Sequence, residues 1–244
     1  MILAIAVNKG GTGKTSTAAC IAQAAAFEGI PTLAIDLDRQ ANLTFALNAK
    51  AEAARNSFNL LTGSPAESQI QGTSQNIDVI AASPDLSTIT TGRGSARRLQ
   101  QALEPIKNIY GLIVIDTPTA AELQYNALQA ADRALIPLQA DTYNVQSLYQ
   151  TADTIRQIQK TNPRLKMGMI ITCYDGRSNI AKVMKQTMID TARAADVQYL
   201  GTIRRGVAIQ EAAALQESLY KYAPKSKPAA DYRSVAYHFI GTNE

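Results

Sequence analysis

Lys9-Gly10-Gly11-Thr12-Gly13-Lys14-Thr15-Ser16 stands directly behind the apolar run Ile2-Leu3-Ala4-Ile5-Ala6-Val7 and ahead of an Ala-rich stretch that reads as helix. Strand, glycine loop and helix in that order are the context a phosphate-binding loop requires. Glycines let the backbone turn tightly and aim its N–H groups at an anion. The start of the following helix adds the positive end of its dipole. In such a loop Lys14 reaches the β- and γ-phosphates of a nucleoside triphosphate, and the Thr15 hydroxyl is placed to hold Mg²⁺. The common form G-x-x-x-x-G-K-[ST] wants a glycine at position 8, where this chain has Asn8, so the loop is the narrower K-G-G-T-G-K-T. Lys9 is one lysine more than phosphate binding needs, and it implies a second target.

Outward from the loop, apolar segments alternate with helical patterns along the whole chain. Strands are expected at 2–7, 32–36, 77–82, 112–116, 134–138, 167–173 and 198–203, and helices at 15–28, 96–107, 120–131, 145–160, 179–195 and 207–219. Continuous apolar runs such as Leu112-Ile113-Val114-Ile115 suit strands buried on both faces of a parallel sheet. The alternation predicts a three-layer, doubly wound α/β fold with a mostly parallel sheet, the fold of P-loop NTPases. Right-handed crossovers gather the loops at the strands' C-terminal ends, where ligands bind in such sheets. The Gly/Ser/Thr-rich stretch 83–95 reads as a loop. No internal repeat is evident, and the chain is expected to be a single domain over 1–244 with no separate helix-turn-helix unit ahead of it.

Two further strand ends carry acids. The second strand runs into Asp36-Leu37-Asp38-Arg39-Gln40-Ala41-Asn42, which puts Asp36 and Asp38 on the same edge as the phosphate loop. Hydrolysis needs a group that orients the attacking water beside Mg²⁺, and a carboxylate is the available choice. The apolar strand Ile113-Val114-Ile115 ends in Asp116, an arrangement in which the acid reaches Mg²⁺ directly or through water.

These motifs together resemble the ParA/MinD group of deviant Walker ATPases, in which Lys9 is the signature lysine. The resemblance implies an ATP-dependent dimer that sandwiches two nucleotides, with Lys9 crossing to the nucleotide of the other subunit. It makes Lys9, Lys14 and Asp38 the catalytic set, with Asp38 positioning the water and Asp36 supporting it. Residues Lys9, Gly10, Gly11, Thr12, Gly13, Lys14, Thr15 and Ser16 bind ATP, and Thr15, Asp38 and Asp116 hold Mg²⁺. Thr172-Cys173-Tyr174-Asp175 and Thr202-Ile203-Arg204-Arg205 resemble the segments at the adenine, which adds Thr172 and Arg205 to the ATP contacts. Arg39, Thr119 and Arg204 stand where the family has proline. The resemblance covers essentially the whole chain.

Composition narrows the alternatives. The 244 residues are 46% hydrophobic and 18% charged, enough for one sizeable core and not a disordered composition. No apolar run approaches the ~20 residues that span a bilayer, and the start of the chain lacks the basic region of a signal peptide. Cys20 and Cys173 read as small buried hydrophobes, which suits a reducing cytoplasm. His238 is the one histidine, so a histidine-based metal or triad site has almost no material.

The net charge of +4 suits an anionic partner. Lys182, Lys185, Arg204, Lys221, Lys225, Lys227 and Arg233 form a set that neutralises phosphates in a salt-dependent, sequence-independent way if they share a surface. Arg93, Arg97 and Arg98 form a second cluster. The C-terminal stripe Tyr232, Val235, Ala236, Phe239 and Ile240 has helical spacing, and its opposite face is nearly neutral. A membrane-surface helix wants several lysines or arginines there, so this stripe is expected to pack on the core. The expectation is a cytoplasmic, nucleoid-associated partition ATPase without membrane binding. By the resemblance it dimerises on ATP, holds DNA non-specifically, and is stimulated by a ParB-like centromere-binding protein. The alternative is a MinD-like or orphan ParA positioning ATPase that locates a protein complex.

Overall fold

The structure, a computed structural model, describes residues 1–89 and 97–241. An eight-stranded sheet runs in the order β3-β4-β2-β5-β1-β6-β7-β8. Its strands are β1 (Ile2–Ile5), β2 (Thr32–Asp36), β3 (Gln71–Gly72), β4 (Asp78–Ile80), β5 (Leu112–Asp116), β6 (Arg133–Gln139), β7 (Lys166–Tyr174) and β8 (Gln198–Arg204). All neighbouring pairs are parallel except β3 with β4. Every residue of β1, β2 and β5 is buried, which is why these strands are unbroken apolar runs and do not alternate.

The two faces of the sheet feed two cores. Ile2, Ala4, Leu33, Ile35, Ile113 and Ile115 point to one, which α4 (Arg98–Leu103), α5 (Ala121–Ala130), α6 (Thr142–Gln159) and α7 (Asn179–Ala194) complete. Leu3, Ile5, Ala34, Leu112 and Val114 point to the other, covered by α1 (Lys14–Phe27) and α10 (Lys227–Ile240). The period of two in side-chain direction produces this split. Helix α1 is apolar on nearly every side because the sheet lies beneath it and α10 above. The stripe Tyr232, Val235, Ala236 and Phe239 is buried against it, as its spacing predicts.

Several boundaries differ from the sequence reading for identifiable reasons. The helix expected at 96–107 ends at Leu103, because Pro105, two residues on, has no N–H to continue the helical hydrogen bonds, although Glu104 between them keeps helical dihedrals. The stretch 207–219 splits into α8 (Ala208–Ala214) and α9 (Leu219–Tyr222), with Gln216 left-handed at φ 54 between them. Helix α6 begins earlier than expected because the Asp141 side chain caps it by accepting from the Asn144 N–H. The short helices α2 (Asn42–Ala46) and α3 (Ser57–Leu61) and the two-residue β3 carry too little periodicity to be read in advance. Part of the expected 83–95 loop, Pro84–Thr88, forms a 3₁₀ turn capped by Ser83. The rest of that loop beyond Ile89, with Arg93, lies outside the described residues.

β1 is flanked by β5 on one side and β6 on the other, so the direction of winding reverses beside it. A crevice therefore opens at the C-terminal end of β1. The Lys9–Ser16 loop lies there.

Candidate functional site

Gly11 and Gly13 have φ of 73° and 95°, in the left-handed region that a side chain resists. Gly13 hands the chain directly into α1, whose first residue is Lys14. The loop is braced from three sides. The Thr172 hydroxyl donates to the Thr12 carbonyl at 2.8 Å, the Gln139 amide to the Gly11 carbonyl at 3.1 Å, and the Asn8 amide to Thr154 at 3.3 Å. Thr172 is buried, and its hydroxyl works on the loop backbone.

Both lysines of the loop are held by internal acceptors. Lys14 Nζ donates to the Lys9 carbonyl at 3.0 Å. Lys9 Nζ donates to Asn144 Oδ1 at 2.9 Å and lies 5.8 Å from the centre of the Tyr143 ring. Asn144 is fixed in turn by donating to the Gln139 carbonyl at 3.0 Å and to Asp141 Oδ2 at 2.6 Å. Burial pushes the Lys14 ammonium below its ordinary value, while Asp116 and Asp38 hold it up. A buried cation with acidic neighbours and only a carbonyl for company is suited to an anionic ligand.

Asp36 and Asp116 end adjacent parallel strands and are partners in register. Both are completely buried. Asp36 is well provided: it accepts from the Thr44 N–H and hydroxyl, each at 2.8 Å, and from the Asp38 N–H at 3.0 Å. Burial nevertheless raises it to about 6. Asp116 has no hydrogen-bond partner on either oxygen. Burial first, and then the Asp36 charge, push it well above the carboxylate range; the Thr15 hydroxyl and the Lys14 ammonium pull the other way without a well-formed bond. A buried carboxylate with two orphaned oxygens beside the loop is a ready ligand for a hard cation. Among the described residues no group of three or more His, Cys, Asp or Glu forms a cage. Mg²⁺ takes one or two protein groups and fills its shell with water and phosphate, and Asp116 with Thr15 is a donor set of that kind.

Asp38 is half-buried at the head of a tight turn, where its Oδ1 accepts from the Gln40 N–H at 3.0 Å and its carbonyl from the Ala41 N–H at 2.8 Å. Ala41 is left-handed at φ 55, so the segment entering α2 is strained. Gln124 ties the loops after β1 and β5 by donating to the Val7 and Pro118 carbonyls, both at 2.9 Å. Thr44, Asn144, Gln139 and Gln124 were not singled out from the sequence. Of these, only Asn144 had a local signal, the Asp141-x-x-Asn144 pattern at a helix start.

A cavity of about 490 Å³ adjoins the loop, walled by Gly13, Ser16, Thr172, Arg204, Arg205 and Tyr232 among others. Cys173 also lines it and is exposed, contrary to the sequence reading. The reason is backbone geometry: its φ is 52°, where the pairing of β7 with β8 slips.

The basic residues read as a DNA surface lie in different settings. Arg204 is paired with Asp231, Lys221 with Glu217 and Arg233 with Glu28. Lys185 lies 5.0 Å from the centre of the Tyr174 ring. Among the described residues Lys182, Lys225 and Lys227 have no carboxylate partner. Among them, too, no helix is long and apolar enough to cross a membrane.

Residues 1–167 match the family described as AAA domain. The chromosome-partitioning ATPase Soj of Thermus thermophilus is 32% identical over 238 residues, covering 96% of this chain and 93% of that protein. The structure of cobyrinic acid a,c-diamide synthase from Mycobacterium smegmatis, solved with an ATP analogue and magnesium, is similar at a TM-score of 0.81 and 28% identity, over 96% of this chain and 92% of that one. The septum site-determining protein MinD of Pyrococcus horikoshii, complexed with Mg-ADP, is similar at a TM-score of 0.80 and 25% identity, over 97% and 94%.

Proposed function

The chain belongs to the ParA/MinD family of P-loop ATPases, and from that premise we propose that it is an ATP-driven dimer switch of the partition type. One observation carries the reading: a loop with two lysines, both parked on internal acceptors, stands beside a buried Asp116 whose oxygens have no partner. The loop N–H groups and Lys14 hold the triphosphate, and Thr15, Asp38 and Asp116 would hold Mg²⁺. Mg²⁺ held there would supply charge neutralisation at the phosphates. Asp38 orients the attacking water, and Asp36, held by Thr44 and bonded to the Asp38 N–H, fixes the start of that turn. Lys9 leaves Asn144 and reaches the nucleotide of a second copy, so that ATP closes the dimer. Thr172 and Arg205 contribute to the pocket for the base.

The ATP dimer holds DNA without sequence preference, and hydrolysis stimulated by a ParB-like centromere-binding protein releases it. The service is partition of a plasmid, mobile element or chromosome, in the cytoplasm on the nucleoid. Lys182, Lys225 and Lys227 are the cations best placed to meet phosphates, because they are exposed and have no carboxylate partner among the described residues. Arg204, Lys221 and Arg233 must first give up theirs. That pairing favours, as the second reading, a positioning ATPase that locates a protein complex. The stripe Tyr232, Val235, Ala236 and Phe239 of α10 is spent on the core.

Retention of the protein on unrelated duplex DNA, with ATP, with ADP and with liposomes instead of DNA, tests the reading. ATP-dependent retention that falls steeply between 50 and 200 mM salt is expected. Retention independent of nucleotide, or none at low salt, rejects the DNA switch.

A further inference from the structure

Three consecutive residues of α10 each grip a different part of the layer that carries the site. Asp231 takes Arg204 at the end of β8: it accepts from the Arg204 backbone N–H and Nε at 2.9 Å each, and from Nη2 at 2.6 Å. Tyr232, buried, shares a hydrogen bond of 3.1 Å with the Thr17 hydroxyl, in the first turn of α1 just behind Thr15 and Ser16. Arg233 pairs with Glu28 at the far end of α1 and lies 5.4 Å from the centre of the Phe27 ring. One turn earlier, α10 presses on the loop that leaves β8. A Cβ at Gly206 would lie 2.7 Å from Cγ of Pro228.

Helix α10 therefore sets the separation between the β8 loop and the start of α1. The space between them is the cavity of about 490 Å³, whose walls include Ser16, Arg204, Gly206 and Tyr232. The phosphate loop has braces of its own, from Thr172, Gln139 and Asn8, besides the Thr17 N–H that donates to the Gly13 carbonyl at 2.9 Å. The fork from Arg204 to Asp231 is bidentate and charge-assisted, the geometry that fixes a side chain most firmly. Asp231 is 13% exposed and Arg204 46%, so salt screens the pair only in part.

We propose that Asp231 and Tyr232 are positioning residues for the nucleoside end of the site, acting through Arg204 and Thr17. This rests on the reading that the cavity beside the loop takes the base and sugar of ATP. Arg204 is then a wall of the nucleotide pocket held from behind, and Gly206 is glycine because the clasp leaves no room for a side chain.

Calorimetric titration of the full chain with ATP and, separately, with inorganic tripolyphosphate tests this. Asp231→Ala is expected to weaken ATP binding about tenfold, the scale of a lost hydrogen-bonded charge, while tripolyphosphate binding stays unchanged. Asp231→Asn, which keeps an acceptor for the Arg204 N–H, falls between. Gly206→Ala, which disturbs the same apposition from the other side, gives the same split between the two ligands. ATP affinity unchanged in both Asp231→Ala and Gly206→Ala, or an equal loss for ATP and tripolyphosphate, overturns the proposal. Wild-type protein that binds ATP no tighter than tripolyphosphate overturns the nucleoside reading of the cavity, and the proposal with it.

Discussion

Asp116→Asn should stabilise the nucleotide-free protein. Asp36 and Asp116 stand side by side at the ends of β2 and β5, fully buried. The rise of Asp36 from 3.8 to about 6 corresponds to ~3 kcal/mol that the folded state loses once that carboxylate ionises. Asp116 is raised further, by burial and then by Asp36. Both folded values lie above the unfolded one, so the folded state binds more protons. Its extra stability is complete below about pH 4 and is lost as pH rises through 6. At pH 7.5 Asp36, above its value of about 6, carries its penalty in full. Asparagine removes the buried Asp116 carboxyl, and with it the repulsion between Asp116 and the Asp36 charge. Asp116 makes no hydrogen bonds to lose, but the new amide lacks an acceptor, at ~1–3 kcal/mol. The net gain is ~1–2 kcal/mol, or a Tm higher by roughly 2–8 °C for a chain of this size. Calorimetric melts of both proteins without nucleotide, from pH 5 to pH 8, measure it. The gain should shrink toward pH 5, and Mg²⁺ should no longer enhance stabilisation by ATP. A variant that melts at or below wild type at pH 7.5, or a difference that does not change with pH, refutes the reasoning.

Lys14→Ala should abolish ATP binding in a fluorescent-nucleotide titration, because the buried ammonium is the one cation aimed into the loop; tight binding that survives would displace the phosphate-loop assignment. Asp38→Ala should keep ATP affinity and lower steady-state phosphate release by ~100-fold or more. Normal turnover in that variant would remove Asp38 from its role. Thr44→Val should cost ~2–3 kcal/mol in chemical denaturation, since it strips one donor from buried Asp36 and the acceptor used by the Ala82 N–H at 2.9 Å; a cost below ~0.5 kcal/mol would show that Asp36 does not depend on it.

The sheet, its parallel sense and the place of the loop were legible because they rest on local signals. Strands buried on both faces leave apolar runs, and a glycine loop between strand and helix has few other uses. Asp36 and Asp116 stand out because each ends such a run, and Asp38 because it follows one by two residues. What escaped was set by partners distant in sequence. Asn144 holds Lys9 across 135 residues, and Thr172 holds Thr12 across 160. Cys173 looks like a buried strand residue and is turned outward by a slip in the β7–β8 pairing. Lysines and arginines were equally visible, but whether a given one faces water or an acid depends on which helix lies opposite. Asp231, 27 residues after Arg204, decides that for Arg204.

The central claim is that ATP closes a dimer through Lys9, and the molar mass in solution tests it most directly. Light scattering should give one chain's mass without nucleotide or with ADP. Asp38→Ala with ATP and Mg²⁺ should give twice that mass, and adding Lys9→Ala should return it to one chain while ATP binding persists. A mass that ignores nucleotide, or a dimer that forms equally well without Lys9, contradicts the account.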